Sequence, residues 1–223
     1  MNHRQNKQHW PQVIFCHKGV AQMIAVVDYG VGNLFSLMSS LHFLGLECIV
    51  TNKGEDLLKA DRIILPGVGA FGDAMAKLKE TGLADTVKEQ AEIKPLLGIC
   101  LGMQLLFDKS YEFGEHEGLG LIKGIVAPLA GDIDPGLKIP HMGWNRLEIV
   151  RDDPIFKYFS SGGWVYYVHS YYAKNCSDAV LGVSEYGVEV TGLVRSGKVY
   201  GMQFHPEKSG NAGLRLLRAF SEI

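Results

Sequence analysis

Leu97-Gly98-Ile99-Cys100-Leu101-Gly102-Met103-Gln104 decides how this chain is read. An apolar run, Pro95 to Ile99, leads into the cysteine, and a helix-forming run, Leu101 to Lys109, leads out of it. Glycines stand two residues before and two after. A strand that turns sharply into a helix crowds its own backbone, so small neighbours are needed on both sides. The turn pushes the Cys100 side chain out at the strand tip. The first N–H groups of the following helix are unpaired there and carry partial positive charge, which stabilises an anion. The stretch therefore suits an exposed nucleophile. It equally suits a buried structural cysteine, since free Cys is among the most buried residue types.

Working outward, short apolar runs alternate with helical ones. Ile24 to Asp28 reads as a strand, and Asn33 caps a helix that runs to about Leu44, where Gly45 stops it. Glu47 to Thr51 and Arg62 to Leu65 are further strands. Amphipathic helices follow at about Asp73 to Lys79 and Leu83 to Ala91, then the Leu96 to Ile99 strand. This alternation predicts an α/β fold with a parallel sheet covered on both faces. Ligands bind such sheets at the carboxyl ends of the strands, and the strands ending at Asp28, Leu65 and Ile99 each run into glycines. Tyr29-Gly30-Val31-Gly32-Asn33 lacks the GxGxxG spacing of a dinucleotide loop.

After about Gly114 strand-like runs take over: Leu121 to Val126, Trp144 to Val150, Trp164 to Tyr172, and Ala179 to Glu185. Val188 to Arg195 and Val199 to His205 flank Ser196-Gly197-Lys198, a hairpin signal. A helix from about Asn211 to Phe220 closes the chain, with Leu214, Leu217 and Phe220 on one expected core stripe. The parallel and meandering halves have no linker between them, so residues 23–223 read as one domain.

Residues 1–22 differ from the rest. They carry Arg4, Lys7, Lys18 and three histidines but no acid, and read as an N-terminal extension to which no role is assigned. Their one apolar run, Val13 to Cys16, is too short for a signal-peptide core, and one Arg with no Ser does not fit an organelle-targeting segment.

Across the 223 residues, a net charge of −2 gives no basic excess to favour nucleic acid or acidic membranes. No apolar run approaches the roughly 18 residues of a membrane span. The four cysteines form no CxxC motif, and a disulfide framework is not expected at this size, so a reducing, cytoplasmic setting is expected. His and Cys do not cluster at ligand spacing, so no metal is expected, and no cofactor.

A thiol nucleophile needs a base and a group that orients the base. Of the eight histidines, His42 falls mid-helix, and His116 and His141 fall in loop-like segments. His205 ends a strand in Gln203-Phe204-His205-Pro206-Glu207, with a carboxylate two residues on that a local turn can bring to the imidazole. By itself the pair also fits a strand-end histidine beside a solvated glutamate.

Gly98-x-Cys100-x-Gly102-x-Gln104 together with His205-Pro206-Glu207 resembles the triad-type (class I) glutamine amidotransferases. Val27 to Asn33, Leu65 to Phe71, Pro140-His141-Met142-Gly143-Trp144-Asn145 and Val168-His169-Ser170-Tyr171 narrow the resemblance. They are similar to the glutaminase subunits of imidazole glycerol phosphate synthases, over Met23 to the C-terminus. The resemblance implies a three-layer, flavodoxin-like fold around a central mixed, mostly parallel sheet. It implies that Cys100 attacks the amide of L-glutamine, that His205 moves the proton and that Glu207 holds His205. An oxyanion hole would be built from the Leu101 N–H and from Gly67-Val68-Gly69, through the Val68 N–H after a peptide flip eased by Gly69. Losing one such donor costs roughly 10²–10³ in rate.

Gln104 would contact substrate. Glu112 would pair with the substrate ammonium or stand as a solvated loop residue. Ser170 and Tyr171 would line the glutamine carboxylate, although Tyr171 equally suits packing. The implied partner is a separate (β/α)8-barrel cyclase, with Asn33, Lys208 and Trp144 at the contact; a core role suits Trp144 as well. Three rivals stand beside this reading: a glutaminase of another synthase (for anthranilate, guanylate or the pyridoxal cofactor), which the triad alone does not separate; a silent interaction subunit; and an unrelated cysteine hydrolase of similar sheet topology.

Overall fold

The computed structural model describes residues 22–30 and 32–223. All of the expected extension except Gln22, and Val31, lie outside the described residues. The first half builds β1 (Ile24–Val27), α1 (Leu34–Phe43), β2 (Cys48–Thr51), α2 (Gly54–Lys59) and β3 (Arg62–Gly67). It continues with α3 (Phe71–Glu80), α4 (Leu83–Ile93), β4 (Leu96–Cys100) and α5 (Leu101–Gln104). Asn33 caps α1 by accepting the Ser36 N–H at 3.5 Å, and Gly45 takes φ +70° just beyond its end. Only α2 was not foreseen; six residues carry too little periodicity to read.

The second half is β5 (Phe107–Ser110), β6 (His116–Glu117), β7 (Ile122–Pro128), β8 (His141–Ile149), β9 (Gly163–His169) and β10 (Tyr171–Lys174). It ends with β11 (Val180–Glu185), β12 (Glu189–Ser196), β13 (Val199–Met202) and α6 (Gly210–Phe220). Nine strands form the central sheet in the order β2-β1-β3-β4-β13-β12-β11-β8-β9. From β2 to β13 neighbours run parallel; from β13 to β9 they run antiparallel. The mixed character arises because β12 returns through the Ser196–Gly197–Lys198 turn onto β13.

Two apolar layers sandwich this sheet. On one face Leu37 and Leu41 of α1 and Leu216 and Leu217 of α6 pack on Ile24, Ile64, Leu97 and Tyr200. On the other, Leu57, Phe71, Met75 and Val87 of α2, α3 and α4 pack with Ala25, Ile63 and Leu96. Each fully buried Leu, Ile or Phe contributes about 1.5–3 kcal/mol relative to exposure.

Four expectations need correction. The helix after Cys100 is one turn, ending at Gln104, and Phe107–Ser110 instead joins a second sheet, β10-β7-β5-β6. Leu105, Leu106 and Phe107 are consecutive and all fully buried, which no one-sided helix can achieve. The run Trp164 to Tyr172 is two strands, broken at Ser170, with β9 in the large sheet and β10 in the small one. His116 and His141 lie in strands β6 and β8 rather than loops. Leu214 is half-buried, and Gly213 and Leu216 take the inner face of α6, because Gly213 must lie flat on the Pro206 carbonyl: a Cβ there would stand 1.9 Å from that oxygen.

Candidate active site

Cys100 ends β4, between β3 and β13, at the carboxyl end of the parallel strands. It adopts φ 54°, ψ −113°, a region rare for any residue with a side chain. The strand turns into α5 so tightly that the glycines around it have no substitute. A Cβ on Gly102 would lie 1.8 Å from the Leu65 carbonyl oxygen, and one on Gly98 would lie 2.6 Å from the Gly102 oxygen. Gly67, paired with Cys100, would meet the Gly102 nitrogen at 2.7 Å. Helix α5 is thus pressed onto β3, with Leu101 beside the Gly67–Gly69 strand end.

His205 arrives from the neighbouring strand, three residues past the end of β13. Its N–H donates to the Tyr166 carbonyl at 2.9 Å, and Pro206 starts a short 3₁₀ turn to Lys208. The turn brings Glu207 back: its Oε1 stands 2.8 Å from His205 Nδ1. Cys100 stands near enough to act on the same imidazole, and both line the cleft. Burial alone would lower the His205 pKa. The hydrogen bonds and negative charge of Cys100 and Glu207 outweigh it and push the value up to about 10. With only 3% of its surface exposed, the imidazole is an enclosed proton holder wedged between sulfur and carboxylate.

A cleft of about 600 Å³ opens above these groups. Val68, Gly69, Cys100, Leu101, Gln104, Glu112, Ser170, Tyr171 and His205 all line it. Gln104 commits both amide hydrogens, to the Tyr171 carbonyl at 2.9 Å and to Gln203 Oε1 at 3.0 Å, which leaves its carbonyl as the group it offers to a ligand. Glu112 is no solvated loop residue. It is buried and accepts the Phe71 N–H at 2.6 Å, capping α3, and burial raises its pKa. The Tyr171 ring meets Phe113 edge-on at 6.2 Å at the cleft wall.

Of the expected contact residues, Asn33 shares a small void with Val68, His205 and Glu207, the first two of which also line the cleft. Trp144 is 53% exposed and meets Tyr166 edge-on at 6.0 Å, so the core alternative is excluded. Lys208 is exposed one residue past Glu207. Phe113, Ile139, Met142 and Val68 also present apolar surface in segments that line or adjoin the cleft. Among the described residues, no group of three or more His, Cys, Asp or Glu is placed to hold a metal ion, and no helix is long and apolar enough to cross a membrane.

Three residues were missed in the sequence. Gln203 is fully buried and donates to Cys100 Sγ at 3.9 Å. Its signal was a polar residue two places before His205 in an otherwise apolar strand end. His141 and His169 are also buried, with ring nitrogens 3.0 Å apart. They begin and end antiparallel partners β8 and β9, a pairing visible only in the folded register.

The profile of the family "Glutamine amidotransferase class-I" matches residues 25–222. The chain belongs to the class-I glutamine amidotransferases. The amidotransferase is 48% identical over 202 residues to the imidazole glycerol phosphate synthase subunit HisH of Bacillus cytotoxicus, covering 90% of this chain and 95% of that one. It is 48% identical to the HisH subunit of Listeria innocua (90% and 96% covered) and 46% identical to that of Caldanaerobacter subterraneus (90% and 98%). With them, the amidotransferase belongs to the HisH family. Its fold matches a solved glutamine amidotransferase with a TM-score of 0.70 at 25% identity, over 89% of this chain and 97% of that one. PurLQS from Thermotoga maritima gives 0.71 at 21% identity, over 91% and 99%, a likeness of fold alone.

Proposed function

We propose that this amidotransferase, as one domain over residues 23–223, hydrolyses L-glutamine to glutamate and ammonia. The observation that carries the reading is the enclosed Cys100–His205–Glu207 arrangement at the cleft floor. With the proton already held on His205, Cys100 Sγ attacks the side-chain amide carbon as the thiolate. The tetrahedral oxyanion is held by the Leu101 N–H and, after a flip of its peptide, the Val68 N–H. Gly69 already holds a positive φ of 100° with open space around it, so this strand end turns at low steric cost. His205 then returns the proton to the departing nitrogen, and ammonia leaves. The γ-glutamyl thioester remains on Cys100. Water, deprotonated by His205, cleaves it; glutamate departs and the thiolate reforms. Glu207 holds one imidazole orientation and stabilises the charged ring throughout.

Gln104 offers its carbonyl to the substrate, and Glu112, Ser170 and Tyr171 bound the glutamine amino-acid end. Ammonia in water at neutral pH is mostly protonated and unreactive, so release must be matched to use. The relatives are named as subunits of imidazole glycerol phosphate synthase. The acceptor in this reading is a separate (β/α)8-barrel cyclase that makes imidazole glycerol phosphate and aminoimidazole carboxamide ribotide in histidine biosynthesis, in the cytoplasm. It docks over the cleft mouth, against Asn33, Trp144 and Lys208, as a heterodimer. An exposed tryptophan beside an active-site opening suits the centre of such a contact.

The test is ammonia release from glutamine by the pure chain, with and without the cyclase and its ligand, against Cys100→Ala. Release that depends on Cys100 and rises with the loaded cyclase is expected. Equal release in the presence and absence of the cyclase removes the coupling, and release that survives Cys100→Ala removes the mechanism.

A further inference from the structure

One unbroken run of hydrogen bonds links β8 to the nucleophile, and its direction is fixed at every step. The Tyr171 carbonyl can only accept, so His169 Nδ1, 2.9 Å away, carries a hydrogen. In a neutral ring His169 Nε2 is then bare and accepts from His141 Nδ1 at 3.0 Å. His141 Nε2 is bare in turn and accepts from Asn145 Nδ2 at 3.2 Å. Asn145 is itself fixed: its second amide hydrogen goes to the Glu185 carbonyl at 2.9 Å, and its Oδ1 takes the Arg146 N–H at 2.8 Å. From the other side Gln104 donates to the same Tyr171 carbonyl and to Gln203, and Gln203 donates to Cys100 Sγ. Both lone pairs of the Tyr171 carbonyl are thereby used, one by the histidine pair and one by Gln104.

The place where this run terminates gives it a task. Ser170 is the break between β9 and β10, where the chain leaves one sheet for the other. Val168, on one side of the break, has its carbonyl oxygen 3.9 Å from Cys100 Sγ. Tyr171, on the other side, holds Gln104. This short segment is therefore a wall of the cleft that no single sheet ladder holds in register. The His169 bond to Tyr171 spans the break. His141 holds the His169 ring, and is itself stacked against Tyr167 at 4.6 Å and Tyr186 at 4.0 Å.

We infer that His141 and His169 are positioning residues for the glutamine reaction, fixing the Val168–Tyr171 wall and the Gln104 amide in the geometry that the substrate needs. Neither ring is required to change charge. Burial pushes His141 down to about 4, and burial together with His141 pushes His169 down to about 3, so both are neutral at physiological pH.

This role rests on the glutaminase reading, and the test separates the two. The complex with the cyclase is assayed for kcat and for KM for glutamine. In parallel, iodoacetamide labelling of Cys100, read on the Cys100 peptide by mass spectrometry, reports the thiol without needing the glutamine wall. His169→Phe is expected to raise KM about tenfold, the loss of one buried hydrogen bond, or about 1.4 kcal/mol. Its iodoacetamide rate should stay within about twofold of wild type. His169→Asn keeps an N–H near the Nδ1 position and should recover most of the KM. His141→Gln, which keeps an acceptor for Asn145 but withdraws the N–H from His169, should give an intermediate rise, and carries the test should His169→Phe not fold. Equal KM changes in the Phe and Asn variants, or an iodoacetamide rate that falls in step with glutamine turnover, overturn the positioning role. So does a normal KM in His169→Phe and His141→Gln. A wild-type complex that neither releases ammonia nor forms a Cys100 adduct with a glutamine-shaped chloroketone overturns the glutaminase reading, and this role with it.

Discussion

Replacing Cys100 by glycine should stabilise the fold relative to replacing it by alanine, the reverse of the usual order. Cys100 stands at φ 54°, ψ −113°, where a Cβ crowds the backbone. Residues held in such regions carry of order 1–3 kcal/mol of strain. Cys100→Ala keeps the Cβ and the strain; Cys100→Gly removes both. Against that gain, glycine loses more backbone freedom on folding, about 0.5–1 kcal/mol. Both variants lose the sulfur and its contacts with Val168 and Gln203, so those losses cancel in the comparison. The net advantage of glycine is about 1 kcal/mol, or roughly 2–4 °C in Tm for a chain of this size. Urea unfolding followed by far-ultraviolet circular dichroism gives the two midpoints at one protein concentration. An alanine variant more stable than the glycine variant by the ordinary 0.5–1 kcal/mol would refute the argument that the strand-to-helix turn stores strain at Cys100.

Three further outcomes follow from the site. Glu207→Gln removes the charge that helps to hold His205 near 10, so the imidazole should titrate at lower pH in nuclear magnetic resonance, and glutamine turnover should fall by about 10²-fold or more. Because the folded His205 pKa lies above its ordinary value, its stabilising contribution is complete below about pH 6.5 and disappears as pH rises towards 10; the stability decline over that window should flatten in Glu207→Gln. Gly102→Ala would drive a Cβ into the Leu65 carbonyl, and thermal denaturation should show a loss of about 3 kcal/mol or more, with little soluble protein. At acid pH the buried neutral pair acts in the opposite sense: the unfolded chain takes up protons near 6.5 that folded His141 and His169 refuse until about 4 and 3. Each should therefore cost about 1.4 kcal/mol per pH unit between about 6 and 4, a slope that falls in His141→Gln when urea midpoints are compared across pH.

Local chemistry made the parallel half readable. Strands β1, β3 and β4 are short buried runs, each followed by glycines that serve a turn, and the bounds expected for β1 to β4 differ from the structure by no more than two residues. The cysteine turn was readable in part for the same reason: Gly98 is crowded by Gly102 and Met103 just along the chain, whereas Gly102 is crowded by the Leu65 carbonyl of β3, a contact made only in the fold. His205 and Glu207, two residues apart, needed only one local turn to meet.

What sequence could not supply was set by contacts distant along the chain. Leu101 to Lys109 has the composition of a helix, yet Phe107–Ser110 pairs with β7 and β6, and that pairing ends the helix after one turn. Trp164 to Tyr172 has the composition of one strand, yet β8 claims its first part and β7 its last, so the chain breaks at Ser170. Glu112 looked like a loop carboxylate until α3, 41 residues earlier, presented the Phe71 N–H to it. The sequence by itself determined the turn that carries Cys100, the pairing of His205 with Glu207 and the sheet end where they stand, because those depend largely on neighbours a few residues away. Only the tertiary structure decided the wall facing them, since Gln203 reaches Cys100 from the end of a neighbouring strand, and His141 and His169 reach Gln104 only through the Tyr171 carbonyl of the second sheet.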